Sequence, residues 1–563
     1  MTLLGLDLAI WIVLAVYFAG MLLMGWWSKR QAGDSEGYLL GGRRFGTAMM
    51  VMHAFGAGTN PTDTTGTISK TMTAGGAGIW VSWMWMFGTP FYWLIAPVVR
   101  RMRYLTLADY FRERFGRASA VLYTVVASVG MTVFFGGVLL ATTRTVQGMM
   151  GPAAVPDPGQ AVDWWFFGIL VVTTAVFVLY GYWGGIVAAI RTDMVQGLMI
   201  IALSFLAVPL ALRMEEVGGL EGMCGVLREA DANYVRLFHP EQFDLAAVIV
   251  LCINAPLTAL ALPHLMSVTS AGRTEWEGRM GFAGGNLLKR ICTIGWSVLG
   301  LAWLAYLLQT DTVVVPDAAF GDCIRHLLPP VLQGLMLACV MAASMSSGDA
   351  VQVTVAGLFT QSLYGEYLRP GATDAERYRF TRRMGVVIIL VSLGFAVLMR
   401  NDLVAMVLGY FNILALVGIS TAMGILWRRM NQAGVFASAL SASAVFLGLR
   451  LAEAMEVIPA VPMALKFGLP LVTGVVFGVV GSLLSRPPDA RRVERFFTRI
   501  YTPVGREERL DWPLAKAVPP ERRLLTAGGL FLVKPTRQSW VGFVVTLAIC
   551  LACLGTMLWI LRY

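Results

Sequence analysis

Fourteen stretches of roughly twenty mostly apolar residues recur along this chain, the length an α-helix needs to cross the hydrocarbon core of a bilayer. They run near 6–27, 47–70, 77–98, 119–149, 163–182, 187–212, 244–268, 284–309, 329–361, 379–399, 403–427, 432–452, 464–485 and 539–561. With 57% hydrophobic and 14% charged residues, the chain is too apolar for a soluble domain. It reads as an all-α integral membrane protein of about fourteen transmembrane helices. The first window, Leu6 to Trp27, follows no basic stretch and precedes no small-residue cleavage site, so it reads as a retained helix rather than a signal peptide.

The net charge of +10 takes its meaning from where the charges lie. The odd-numbered loops (28–46, 99–118, 183–191, 269–290, 362–383, 428–431 and 486–538) carry 34 Lys and Arg, and the even loops, the window ends that border them and the C-terminal tail carry nine. Arg144 falls within a window and is expected to snorkel outward. The positive-inside rule then puts the odd loops in the cytoplasm and both termini outside, as in a multi-pass protein of the plasma (inner) membrane. The acidic loop 213–243 fits that arrangement. Charges so placed point to membrane lipids and not to nucleic acid, and segment 486–538, with twelve basic residues, reads as a tail near anionic headgroups.

The second window is the anomalous one. His53-Ala-Phe-Gly-Ala-Gly-Thr-Asn-Pro-Thr-Asp-Thr-Thr-Gly66 places Gly, Pro, Asn and Asp at bilayer depth, where lipid cannot satisfy freed backbone groups. Such a break survives beside protein, water or a bound ion, and discontinuous helices of this kind build the midplane sites of secondary transporters. A second pair of breakers, Asn254-Ala-Pro256 and Leu262-Pro-His264, opens the seventh window. Setting aside the first window and the last three leaves a 5+5 division into inverted repeats, 47–212 and 244–427, each beginning with a discontinuous helix. The remaining parts are a peripheral helix and loop (1–46), two peripheral helices (432–485), the basic segment (486–538) and a last helix (539–563).

In the ninth window, small residues around Ala343-Ser-Met-Ser346-Ser347 allow close helix packing. They also offer oxygens: the hydroxyls of Ser346 and Ser347 and the Ala343 carbonyl, facing carbonyls freed at Gly56 and Thr59. Five oxygens from two helices suit a small hard cation such as Na+. Asp349, two residues beyond the serines, is a second intramembrane acid and a candidate for supporting cation or proton coupling.

With those residues in place, the chain resembles the solute:sodium symporters, which share the leucine-transporter fold. The resemblance rests on Gly41-Gly-Arg-Arg-Phe-Gly46, Arg101-Met-Arg-Tyr-Leu-Thr-Leu-Ala-Asp-Tyr-Phe-Arg-Glu-Arg-Phe-Gly116, Tyr182-Trp-Gly-Gly-Ile-Val-Ala-Ala-Ile-Arg-Thr-Asp193, Leu262-Pro-His-Leu and Ala343-Ser-Met-Ser346-Ser347, in the family's order. It implies a Na+ site on Gly56, Thr59, Ala343, Ser346 and Ser347, and puts Asp193 on the inner Na+ path; an aspartate there can equally be solvated or paired with Arg191. Asp63 matches a glutamine that touches sugar in some relatives, so it faces a cationic or hydroxyl-rich solute or caps the half-helix after Pro61. Lys289 matches a sugar-contacting lysine or is a surface anchor beside Arg290. Asn60, Asp63, Thr64, His264 and Lys289 form the candidate substrate set. The implied function is a Na+-coupled symporter importing a small polar organic solute by alternating access, with Na+ as coupling ion and no organic cofactor. The alternative is a solute sensor signalling through the tail.

Four scattered histidines and no nucleophile or metal spacing argue against an enzyme. His53 and His264 adjoin the breaks and are expected to satisfy backbone carbonyls. Trp80, Trp83, Trp85, Phe91, Tyr92 and Trp93 are expected mostly to face lipid or pack, with interfacial placement the default, and one or two of them to wall the substrate cavity. Cys224 and Cys323 fall in loops assigned to the same side, which makes them candidates for a disulfide.

Overall fold

The computed structural model describes residues 2–28, 43–155, 163–183 and 186–563. The helices that matter below, numbered in chain order, are α1 (Leu8–Ser28), α2 (Thr47–Gly58), α3 (Pro61–Ala74), α4 (Tyr92–Met102), α5 (Leu107–Phe115), α6 (Arg117–Met150), α7 (Trp164–Trp183), α8 (Ile186–Leu206), α9 (Leu245–Ala261), α10 (Leu265–Ser270), α11 (Glu275–Gln309), α12 (Ala319–Leu327), α13 (Pro330–Phe359), α14 (Asp374–Leu398), α15 (Leu403–Leu426), α16 (Gln432–Ala454), α17 (Met463–Leu484), α18 (Ala490–Tyr501) and α19 (Arg537–Ile560). Nine helices among the described residues are long and apolar enough to cross a membrane, α1 and α7 run to 21 and 20 residues, and the second, third and seventh windows fall on shorter or interrupted helices. The only strands among the described residues form two small antiparallel pairs, Thr2–Leu3 with Leu6–Asp7 and Arg523–Leu525 with Leu532–Val533.

The second window breaks where its residues require. Pro61 has no amide to donate and bars Asn60 from helical geometry, so Thr59 and Asn60 are extended. Asn60 then caps α3: its Oδ1 accepts from Thr62 N at 3.0 Å, and Asp63 Oδ2 accepts from Asn60 N at 3.0 Å. The seventh window breaks at Leu262-Pro-His264, while Pro256 is carried inside α9 without ending it. Tyr123 Oη donates to the freed Ala261 carbonyl at 3.0 Å.

The broken segment lies at the centre of the bundle, with α8, α11 and α13 against α2, and α6, α11, α12 and α15 around α3. The α2–α11 contact is backbone on backbone. A Cβ on Gly285 would sit 2.6 Å from both Phe55 N and Val51 O, and one on Gly281 2.9 Å from Met50 Cβ. Gly285→Val is therefore expected to destabilise the protein by about 1–3 kcal/mol, the usual range for overpacking, and to impair transport. A melting temperature equal to wild type in the same detergent would show that the two helices do not meet this closely.

Several expectations change here. The eighth window extends back to Glu275, so Lys289 and Arg290, assigned to a loop, are buried inside α11. The third window is a series of short turns, Gly75–Ile79, Trp80–Trp83 and Met86–Phe91, followed by α4. Its start turns on Gly75, at φ +54°, where a Cβ would lie 2.3 Å from Tyr234 Cα. Of its aromatics only Phe91 is exposed; Trp80, Trp83, Trp85, Tyr92 and Trp93 are buried, and the Trp80, Trp83 and Trp93 indole N–H groups are bonded internally. Arg144 does not snorkel: it donates to Gln147 Oε1 at 2.8 Å and to the Arg400 carbonyl at 2.9 Å, and lies 3.4 Å from Asp163. All seven cysteines are free thiols, so Cys224 and Cys323 form no disulfide. Segment 486–538 is docked on the bundle: α18 buries Val493, Phe496, Phe497 and Ile500, and the Phe496 ring lies 5.4 Å from that of Tyr110.

Candidate functional site

Three elements converge where α2 ends. Gly56 presents a bare backbone, and a Cβ there would meet Asp193 Oδ1 and Ser346 Oγ, each at 3.2 Å. Asp193, on α8, is 1% exposed. Ser346 Oγ, on α13, donates to its Oδ1 at 2.5 Å, and His53 Nδ1, on α2, lies 2.7 Å from its Oδ2. A carboxylate at bilayer depth is tolerated only when held in this way. Its partners among the described residues are Ser346 and His53, and His53 serves a carboxylate rather than a backbone carbonyl.

Next to this cluster is a supply of unused oxygen. The hydroxyls of Ser347 and Thr59 are buried with no hydrogen-bond partner among the described residues. Buried hydroxyls are rarely left unmet, so two of them beside a carboxylate mark a place where a polar species belongs. Ala343, Thr59, Pro61 and Thr64 border a cavity of about 30 Å3, room for about one water-sized species. Of the five residues expected to bind Na+, Gly56 and Ser346 meet at Asp193, Thr59 and Ala343 border the small cavity, and Ser347 follows Ser346 on α13. Asp349 is buried further along α13 and has partners of its own.

A second cavity, about 50 Å3, lies on the other side of the break between Gly58, Asn60, Trp85, His264, Lys289 and Arg290. Lys289, 5% exposed, is no surface anchor. Its Nζ lies 2.8 Å from Asp63 Oδ2 and donates to the Gly58 carbonyl at 2.5 Å. One ammonium therefore bridges the C-terminal end of α2 and the N-terminal end of α3. Asp63 is engaged by Lys289, by the Asn60 amide and by Asn60 Nδ2, so of the two readings the cap is the one observed. Arg290 donates to the Ser82 carbonyl at 3.0 Å and to Thr89 Oγ1 at 3.3 Å. His264 borders the cavity with Nδ1 unpartnered among the described residues. Thr64 faces the smaller cavity instead.

Sequence reasoning missed Arg290 and the part played by His53. The Lys289-Arg290 pair looked like the end of a loop. The spacing of Gly281 and Gly285 was the available sign that the helix begins earlier. Gly41, Gly42 and the Gly184-Gly185 pair of the resemblance motifs lie outside the described residues.

Comparison with known proteins agrees with this arrangement. The model of the sodium:solute symporter family matches residues 38–441. The chain is 27% identical over 506 residues to the osmoregulated proline transporter of Bacillus subtilis, covering 86% of this chain and 97% of that one. It is 23% identical over 507 residues to the sodium/proline symporter of Escherichia coli, covering 86% and 95%. Among solved structures it is similar in fold to a Na+-coupled sialic acid symporter in a substrate-bound outward-open state, with TM-score 0.67, 16% identity, and 86% and 99% of the two chains covered. A sensor role finds no support in these relatives, and the family is one of transporters rather than enzymes. The chain belongs to the sodium:solute symporter family: it is a multi-pass membrane protein of leucine-transporter fold that moves a small solute coupled to Na+.

Proposed function

We propose that Na+ is held by the Gly56, Thr59 and Ala343 carbonyls with the Ser346 and Ser347 hydroxyls, and that Asp193 supplies the nearby negative charge. The observation that carries this is the buried Asp193 carboxylate, fixed between His53 and Ser346 against Gly56, with the buried Ser347 and Thr59 hydroxyls unpartnered among the described residues. Na+ joining the end of α2 to α13 stiffens the break, and the break forms one wall of the substrate cavity. Solute and ion affinities are then reciprocally coupled. Rocking of one helix bundle against the other separates the two sets of oxygens and releases Na+ inward. The membrane potential contributes about 2.3 kcal/mol per charge per 100 mV. The charge asymmetry of the loops supports a plasma-membrane protein with both termini outside, and the two broken helices support inverted repeats at 47–212 and 244–427.

The substrate is a small solute bearing a carboxylate. Lys289 and Arg290 both border the cavity, and Asp63 balances only one of the two cations. A carboxylate on the solute balances the other, which reverses the preference for a cationic solute that Asp63 alone suggested. Proline, named for several relatives at 22–27% identity, has such a group and is the first candidate. The test is a thermal-shift screen of purified protein against amino acids, carboxylates and sugars, in Na+ and in K+. Stabilisation by a carboxylate-bearing solute in Na+ alone is expected, and stabilisation by a neutral sugar instead would overturn the assignment.

A further inference from the structure

Away from the transport pathway, at the end of the bundle that carries the basic loops, two adjoining cavities of about 520 and 380 Å3 share Asp489 and Arg492. The larger is bordered by Arg114, Arg486 and Arg492, the smaller by Arg117, Arg491 and Arg495 among others. The acids on these walls are Asp489 and Glu113, and Asp489 Oδ1 is occupied with the amides of Arg491 and Arg492. The first turns of α6, α16 and α18 all open on the two cavities, and α6 begins at Gly116 with no side-chain cap. Three helix N-termini add partial positive charge to that of the arginines.

Arg114 fixes one of these charges. It is 1% exposed, with Nε and Nη2 bonded to the carbonyls of Gly424, Trp427 and Arg428. Its Nη1 has no partner among the described residues. Burial, opposed by Tyr110 and aided by the neighbouring Arg428 and Arg492 guanidinium groups, pushes its pKa down to about 10, and the guanidinium lies against the rings of Phe115, Phe496 and Phe497. Held in this way, Arg114 is a fixed positive charge behind the wall of the larger cavity, where Arg486 and Arg492 can offer guanidinium N–H groups to an anion with acceptor oxygens.

The surroundings say which anion. Phe436 borders the larger cavity, and α17 ends beside it in Leu483 and Leu484, the latter 85% exposed, directly before Ser485 and Arg486. Apolar side chains left open next to a basic pocket are what the interface of a bilayer supplies with partners. We propose that this double groove binds the phosphodiester headgroup of an anionic phospholipid, with Arg486 and Arg492 donating to the phosphate oxygens and the acyl chains lying against Phe436 and Leu484. The bound lipid would tie segment 486–538 to the ends of α5 and α16.

The experiment is native mass spectrometry of the full-length protein released from detergent, after incubation with phosphatidylglycerol or phosphatidylcholine of matched chains. Wild type is expected to retain phosphatidylglycerol preferentially. Arg486→Gln with Arg492→Gln is expected to reduce that retention by about tenfold or more, given the attraction of each basic residue to anionic lipid. Asp489→Asn removes the groove's shared acid while its amide oxygen still caps α18, so it is expected to increase retention; this arm decides the matter if the double variant does not survive purification. Equal retention of the two lipids, or retention unchanged in the variants, would overturn the proposal. Displacement of phosphatidylglycerol by millimolar inorganic phosphate would also overturn it, by assigning the groove to a soluble anion.

Discussion

Replacing Ser346 and Ser347 together by alanine is expected to abolish Na+-driven uptake in a protein that still folds. Each hydroxyl contributes about 1.5–3 kcal/mol toward a charged partner, so the loss of both weakens Na+ binding by roughly 10²–10⁴-fold at 1.4 kcal/mol per tenfold. The fold should survive, because alanine is the best helix former and Ser347 Oγ has no partner among the described residues for its removal to strand. Ser346 does release Asp193 Oδ1, yet His53 keeps its hold on Oδ2. Uptake into proteoliposomes under Na+ and K+ gradients reads the result. Uptake that keeps its dependence on Na+ would place the ion elsewhere.

Lys289→Gln is expected to have the largest effect on stability. The ammonium compensates buried Asp63 and satisfies the Gly58 carbonyl at the broken helix end. Removing one member of a buried pair costs about 3–5 kcal/mol, because an uncompensated charge remains. Asp63→Asn should be damaging for the same reason, and the double variant should recover much of the stability, since neither charge is then left alone. Transport of a carboxylate-bearing solute should persist in the double variant, whose cavity keeps Arg290, the cation that the solute carboxylate balances. Thermal unfolding of the four proteins forms the cycle. Single variants as stable as wild type would show that the pair is not closed in the folded protein.

Much of the fold could be read from the sequence because bilayer-length apolar windows and Gly-Thr-Asn-Pro are local signals. A proline at 61 dictates an extended Asn60 wherever the segment is placed. The same is true of the capping box that absorbs Asp63. What escaped notice depended on partners far away in the chain. His53 and Asp193 are separated by 140 residues, and neither identifies the other. Lys289 and Arg290 carry two charges in a row, which in a hydropathy window looks like the membrane boundary; only the close approach of Gly285 to α2 reveals that the helix is already ten residues inside. The tryptophans of the third window failed as interfacial markers for a related reason. They lie on a chain of short turns folded into the bundle, where indole N–H groups find the Leu237 and Arg290 carbonyls instead of headgroups.

The central claim is that one alkali cation ties the broken end of α2 to α13. Hydrogen–deuterium exchange across residues 53–66 of the purified protein measures it directly, since an extended break that opens freely exchanges faster than one fixed by ligation. Protection of these amides should rise on replacing K+ by Na+ in wild type, and should be indifferent to the cation in Ser346→Ala/Ser347→Ala. Exchange that ignores Na+ in wild type, or protection that persists in the variant, would contradict the account.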